Sequence, residues 1–349
     1  MVEPGTVSPR ALDLARELVR IESPTDHEGE VGTFLAERLE RLGYSVTRQD
    51  VSPGRFNVFA RRADPVVVLS THMDTVPPSV PMREDETYLY GRGSCDAKGI
   101  AAAQIAAAER LAARGERRVG LLFVVGEELN GDGAKAAAAL EPKGRYLING
   151  EPTDNRMALG HKGMLRVLVI GHGTAAHSAY PEEGESAIDK VLDALQRIRA
   201  LTLPTDETLG PCTLNIGTIT GGVAPNVIPA DCRAHLFFRT VAPWEPLLAA
   251  VREAAGDRVE IAVAHTAPAV HLRVLPGFET TVVRYGTDLP WLEPWGERFL
   301  MGPGSIKVAH TDHECVAKRE LEEAVGLYER ATTILLTSAG SAPAESPSA

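Results

Sequence analysis

The stretch VVGEELNG (124–131) closes an apolar run with two adjacent glutamates, Glu127 and Glu128. Neighbouring carboxylates repel, and desolvating them is costly unless a cation or a proton compensates. Alone, the pair reads as a solvated strand end, but residues of the same chemistry recur in comparable places. PVVVLS (65–70) runs into THMD, bringing His72 and Asp74, and RYLING (145–150) runs into Glu151. GRGSCDAKG (91–99) puts Asp96 between glycines at a helix start, where its plainest role is to cap that helix. GPGSIKVAHTDHE (302–314) adds His310 and His313 late in the chain.

Together His, Asp, Glu, Glu and His suit two divalent cations of borderline softness, zinc first and cobalt next. Two such ions about 3.5–4 Å apart need a carboxylate between them. One glutamate of the pair can then bind a metal while its neighbour takes a proton from metal-activated water. Asp74, two residues beyond His72 at a strand end, can orient that imidazole rather than bind metal itself. HExxH, a P-loop, GxGxxG and GxSxG are all absent, so single-metal peptidase, nucleotide and serine-hydrolase readings lack support.

Positioning these residues requires a sheet. Leu12, Leu14, Ala15, Leu18 and Val19 predict a helix over 9–20, and Val31, Phe34, Leu35, Leu39 and Leu42 a second over 30–42. NVFARR, PVVVLS, RRVGLLFVV and RYLING read as strands, alternating with helices in SCDAKGIAAAQIAAAERLAARG and GAKAAAAL. PVVVLS and RRVGLLFVV are apolar almost throughout, as strands buried on both faces must be. The alternation predicts the α/β class, with a mostly parallel sheet flanked by helices. Ligands of such sheets sit beyond the carboxyl ends of the strands, the edge where His72, Asp74, Glu127, Glu128 and Glu151 fall.

From about residue 162 the order becomes strand, helix, strand, strand, helix, strand, an inserted α+β domain of the split-βαβ kind. The expected organisation is a discontinuous catalytic domain (1–161 and 272–338) around an insert (162–271). Its last helix is expected over ECVAKRELEEAVGLYERATTILL (314–336), before a Pro/Ser-rich tail, 339–349, expected to be disordered.

Acidic residues outnumber basic ones, 47 to 36, giving a formal charge of −11, which argues against nucleic acid or an anionic membrane as partner. Cys95, Cys212, Cys232 and Cys315 are widely spaced and read as reduced thiols of a cytoplasmic protein, with Cys95 a small packing residue. No signal-peptide pattern or membrane-spanning apolar run stands out.

LSTHMDTVPP, YGRGSCDAKGIAAA, VVGEELNGDGA, NGEPT, GTAAHSAYPEEGESAI, GGVAPNVIPADC and GPGSIKVAHTDHE, in that order over about residues 8–335, resemble a di-zinc amidohydrolase and metallopeptidase family. It includes acetylornithine deacetylase, succinyl-diaminopimelate desuccinylase, aminoacylase and glutamate carboxypeptidase. The resemblance implies that Asp96 bridges two metals, with His72 and Glu151 completing one site and Glu128 and His310 the other. The family's His followed four residues later by Glu falls on His310 and Glu314, which leaves His313 aside. Glu127 would be the general base and Asp74 the holder of His72. His177 would stabilise the oxyanion, in some relatives from the partner subunit. Asn226 and Arg239 would bind the substrate's α-carboxylate, helped by backbone N–H groups of Gly304 and Ser305. The insert would be a lid through which a homodimer forms.

The activity so implied is metal-dependent hydrolysis of the amide bond of a small N-acyl amino acid. The form of GPGSIKVAH and the segment TDLP (287–290) point first to deacetylation of N-acetylornithine or N-acetylcitrulline in arginine biosynthesis. Alternatives are a lysine-biosynthesis deacylase, which would make a carrier protein a partner, a succinyl-diaminopimelate desuccinylase, or a dipeptidase. A non-catalytic metal-dependent sensor is the rival of a different class, and the intact Glu127 argues against it.

Overall fold

The computed structural model describes residues 10–340, which divide into two compact units. The first comprises residues 10–158, 272–281 and 287–340, and the second 159–271 and 282–286. Residues 159–161 and 282–286, which the sequence reading leaves in the first, thus belong to the second. One tie between these segments is the Lys162 N–H, which donates to the Val283 carbonyl at 3.1 Å.

The first unit has a six-stranded sheet in the order Ser45–Ser52, Arg55–Arg61, Val119–Val124, Val67–His72, Tyr146–Asn149, Glu297–Leu300. The last four run parallel to one another, and the first two form an antiparallel hairpin at one edge. The expected α/β class with a mostly parallel, helix-flanked sheet therefore holds. Every residue of Val67–His72, Val119–Val124 and Tyr146–Asn149 is buried, and all three are apolar until the polar residues Ser70, Thr71, His72 and Asn149 at the carboxyl ends of the first and last.

Helix Lys98–Ala113 is buried on nearly all sides, and Ala101, Ala102, Ala103, Ala106, Ala107 and Ala108 make that packing close. Helices Ala11–Val19 and Lys318–Gly340 pack against it. Two expected boundaries need correcting. The central helix begins at Lys98 with Ala97 at its N-cap, so Asp96 is not the cap. The last helix begins at Lys318, because Cys315–Ala317 is taken into antiparallel pairing with Tyr88–Tyr90. Ala339 and Gly340 complete that helix, and the rest of the expected tail, 341–349, lies outside the described residues. No described helix is long and apolar enough to cross a membrane.

The second unit has a four-stranded antiparallel sheet in the order Thr213–Gly221, Asp231–Thr240, Gly163–His172, Glu260–Ala267. Burial alternates along the two central strands, so one face joins a core with helices Ala187–Arg199 and Trp244–Ala255.

Candidate active site

Parallel register brings three strand ends of the first unit level: His72 lies opposite Val124, and Ser70 opposite Asn149. The loops carrying Asp74, the Glu127–Glu128 pair and Glu151 therefore leave the sheet side by side. The His72 ring places Nε2 3.0 Å from Asp96 Oδ1 and Nδ1 3.0 Å from the Asp74 carbonyl oxygen. Asp74 Oδ1 is 3.4 Å from the same Nδ1. The other oxygen of Asp96, Oδ2, lies 3.4 Å from His310 Nε2, which is also 3.0 Å from Glu128 Oε1. Each oxygen of one carboxylate thus faces a different imidazole.

Two donor trios result, His72–Asp96–Glu151 and Asp96–Glu128–His310, each with its ligand atoms within 4.8 Å of one another. Asp96 belongs to both, whereas Glu127 belongs to neither. Glu151 Oε1 is buried without a hydrogen-bond partner. His313 is directed to its own neighbour, with Nδ1 2.8 Å from Asp312 Oδ1, and takes no part in either trio.

Local structure explains how adjacent glutamates come to sit here. Asp74, fully buried, accepts the Glu127 N–H on Oδ1 and the Glu128 N–H on Oδ2, both at 3.1 Å. Oδ2 also accepts the Thr25 hydroxyl at 2.8 Å. This clamp on the glutamate peptide adds to the orienting role expected of Asp74 toward His72, and a His-x-Asp spacing alone does not reveal it. Gly126 enters the loop at φ 74°, and a Cβ there would lie 2.0 Å from Asp132 Oδ1 and 2.7 Å from Arg55 Nη2. Arg55 is buried in ion pairs with Glu28 at 2.8 Å and Asp132 at 2.7 Å, so the loop begins against a braced wall.

The electrostatics record crowded negative charge. Burial, and then the charge of Glu151, push Glu127 well above the usual carboxylate range. Burial likewise raises Glu151 against the pull of His72, and with Asp96 it raises Glu128. Burial disfavours protonated His72, but contacts with Asp74 and Asp96 outweigh it and hold the ring well above its ordinary value. Contacts with Asp96 and Glu128 hold His310 at about 10. Asp96 moves below the usual range despite burial, because both imidazoles bond to it. The carboxylates outnumber the imidazoles, Glu151 keeps an unpaired buried oxygen, and the donors are all nitrogen and oxygen. Such a set fits two divalent cations sharing Asp96.

Of the other expected site residues in the first unit, Gly304 is buried at φ 81°, where a Cβ would meet Cys95 Sγ at 2.6 Å. Ser305 beside it is half-buried and its carbonyl accepts Cys95 Sγ at 3.4 Å, the packing role expected of that cysteine. His177, Asn226 and Arg239 lie in the second unit. The segments around His177 and Asn226 pair: Ser178 N–H donates to Asn226 O at 3.0 Å, and Ile228 N–H to Ala176 O at 2.8 Å. Both side chains are exposed, while Arg239 is half-buried on strand Asp231–Thr240 with its guanidinium over the Phe237 ring.

Sequence reasoning passed over Asp288, in TDLP. It is 2% exposed, its Oδ1 has no hydrogen-bond partner, and burial pushes its carboxyl up to about 7. An acid set among Leu289, Trp291 and Leu292 was the available signal.

A parallel-sheet domain that gathers two acid–imidazole trios around one shared carboxylate, beside a further glutamate, has the layout of a metallohydrolase. Residues 68–333 match the peptidase family M20/M25/M40, and the chain belongs to that family. It is therefore an enzyme, a metal-dependent hydrolase of the peptidase type. It is 41% identical, over an alignment 374 positions long, to a probable carboxypeptidase of Aspergillus fumigatus, covering 91% of this chain and 85% of that one. The fold is similar to that of a tripeptidase from Staphylococcus aureus, with TM-score 0.79, 22% identity and coverage of 94% of this chain and 98% of that one. It is also similar to a dinuclear metal binding peptidase of the M20 family from Bacillus subtilis, with TM-score 0.68, 16% identity and coverage of 94% and 98%.

Proposed function

We propose that this enzyme hydrolyses the amide bond of an N-acyl amino acid, with Glu127 as general base. His72 and Glu151 would hold one divalent ion, Glu128 and His310 the other, and Asp96 both, zinc being the ion of first choice. The observation that carries this reading is the division of labour at the strand ends. Asp96 turns one oxygen to each imidazole and Glu128 reaches His310, while Glu127 is left outside both trios.

Bound there, the ions would polarise the acyl carbonyl and lower the pKa of an adjacent water toward about 7. Glu127 accepts the proton of the attacking water at its carboxylate and delivers it to the leaving nitrogen. Asp74 keeps both the His72 ring and the Glu127 peptide in place. We assign His177 to the developing oxyanion as a hydrogen-bond donor. Asn226 and the planar fork of Arg239 are assigned to the substrate's α-carboxylate, with backbone N–H groups of Gly304 and Ser305 in support. A homodimer through the second unit, and a cytoplasmic site of action suggested by four free cysteines, complete the reading.

N-acetylornithine and N-acetylcitrulline head the substrates, on the sequence form of the GPGSIKVAH and TDLP segments. The carboxypeptidase reading stands second, favoured by the relative named a probable carboxypeptidase at 41% identity. The test is primary-amine release by zinc- or cobalt-loaded protein from N-acetylornithine, N-acetylcitrulline, N-acetyllysine, N-succinyl-diaminopimelate and an N-blocked dipeptide. Release from an acetyl amino acid supports the first reading. Release from the blocked dipeptide alone replaces it with the second, and silence across the panel with two ions bound removes both.

A further inference from the structure

Glu314 is completely buried, lies four residues beyond His310, and belongs to neither donor trio. Its Oε1 accepts three backbone N–H groups, from Gly93 at 2.9 Å and from Cys95 and Asp96 at 3.1 Å each. Its Oε2 accepts Nη1 of buried Arg92 at 2.6 Å. The Glu314 carbonyl accepts a further N–H, from Gly91, at 3.1 Å. The two other amides of segment 91–96 go elsewhere, Arg92 N–H to the Val80 carbonyl and Ser94 N–H to the Gly91 carbonyl. The loop that ends in Asp96 is thus folded around residue 314. It can take that path because Gly91 and Gly93 adopt φ of 137° and 86°, which side-chain-bearing residues rarely do.

A buried carboxylate is costly unless its hydrogen bonds are complete, and here the loop carrying Asp96 completes them. Glutamine at 314 would keep an oxygen for the three amides but turn an NH2 group toward Arg92, a donor facing a donor. Either the loop moves or Arg92 loses its partner. We infer that Glu314 is a positioning residue for Asp96, fixing the direction of the shared carboxylate and tying it to the segment that supplies His310. This rests on the reading of Asp96 as the carboxylate between two ions.

The test titrates metal-free wild type, Glu314→Gln and Glu109→Gln with Co(II), reading stoichiometry and affinity from visible absorption and metal analysis. Glu109 is the control for cutting a buried ion pair, since it meets Arg62 at 2.8 Å and the Tyr44 hydroxyl at 2.8 Å and joins no donor trio. Wild type and Glu109→Gln are expected to bind two Co(II) per chain with equal affinity. Glu314→Gln is expected to bind Co(II) about 10–100-fold more weakly, as loss of a group that orients a ligand does. Wild-type affinity in Glu314→Gln overturns the inference. Should that variant fail to fold, amide exchange in wild type decides. Glu314 as anchor requires slow exchange at Gly93, Cys95 and Asp96 with or without metal, and fast exchange in the metal-free protein overturns it. Fewer than two Co(II) in wild type would instead remove the underlying two-ion reading.

Discussion

Replacing Asp74 with asparagine is expected to weaken the fold and slow the reaction together. Both oxygens of this buried carboxylate are in use. Oδ1 faces the Glu127 N–H at 3.1 Å and His72 Nδ1 at 3.4 Å, and Oδ2 faces the Glu128 N–H at 3.1 Å and the Thr25 hydroxyl at 2.8 Å. An amide can accept on one side only. The less costly arrangement turns its NH2 toward Thr25, whose hydroxyl can rotate to accept, and leaves the Glu128 N–H facing a donor. Losing one hydrogen bond to a charged acceptor and stranding its donor costs about 2–3 kcal/mol. The displaced peptide also carries Glu127, and a shift of about 1 Å at a reacting group can cost about 10²-fold in rate. Urea denaturation and steady-state kinetics on metal-saturated protein measure the two effects. A variant within about 0.5 kcal/mol of wild type, with kcat within about threefold, would refute the clamp.

Two further substitutions test the surroundings of the site. Gly126→Ala is expected to lose about 2–4 kcal/mol, from a left-handed backbone at φ 74° and from displacing buried Arg55 from its half-buried partner Asp132. Gly54→Ala, at φ 77° with open space around it, should lose only the backbone part, about 1 kcal/mol, and equal losses in urea denaturation would contradict the argument. Burial raises the Asp288 carboxyl from an ordinary 3.8 to about 7, so the folded state holds its proton where the unfolded state has released it. That contribution to stability is present below the ordinary value and is lost as pH rises toward about 7. Asp288→Asn should flatten the fall of stability between pH 5 and 7, and parallel Tm–pH curves for variant and wild type would be the contrary result.

The parallel core of the first unit was legible because burial on both faces leaves continuous apolar runs, as in PVVVL (65–69) and Val119–Val124. Ligand types at the ends of those runs then pointed to one edge. Strand Ser45–Ser52 was not legible: its sequence, SVTRQDVS, is mostly polar with no buried residue, and Val46 and Val51, its only apolar residues, are too far apart to show a period. Glu297–Leu300 is a four-residue edge strand, too short to show a period. In the site, side chains that converge from strand ends could be foreseen. Carboxylates that work by accepting backbone N–H groups could not. Asp74 holds amides at 127 and 128, and Glu314 holds amides at 93, 95 and 96, so what each does depends on where a distant loop runs.

The most direct measurement of the central claim compares wild type with Glu127→Gln, recording bound metal by elemental analysis and amine release from the substrate panel on the same samples. Removing a general base while leaving both donor trios intact should preserve two ions per chain and the Tm, and reduce kcat by about 10²–10⁴-fold. Near-normal turnover by a Glu127→Gln variant that still holds two ions would contradict the assignment of Glu127 and the mechanism built on it.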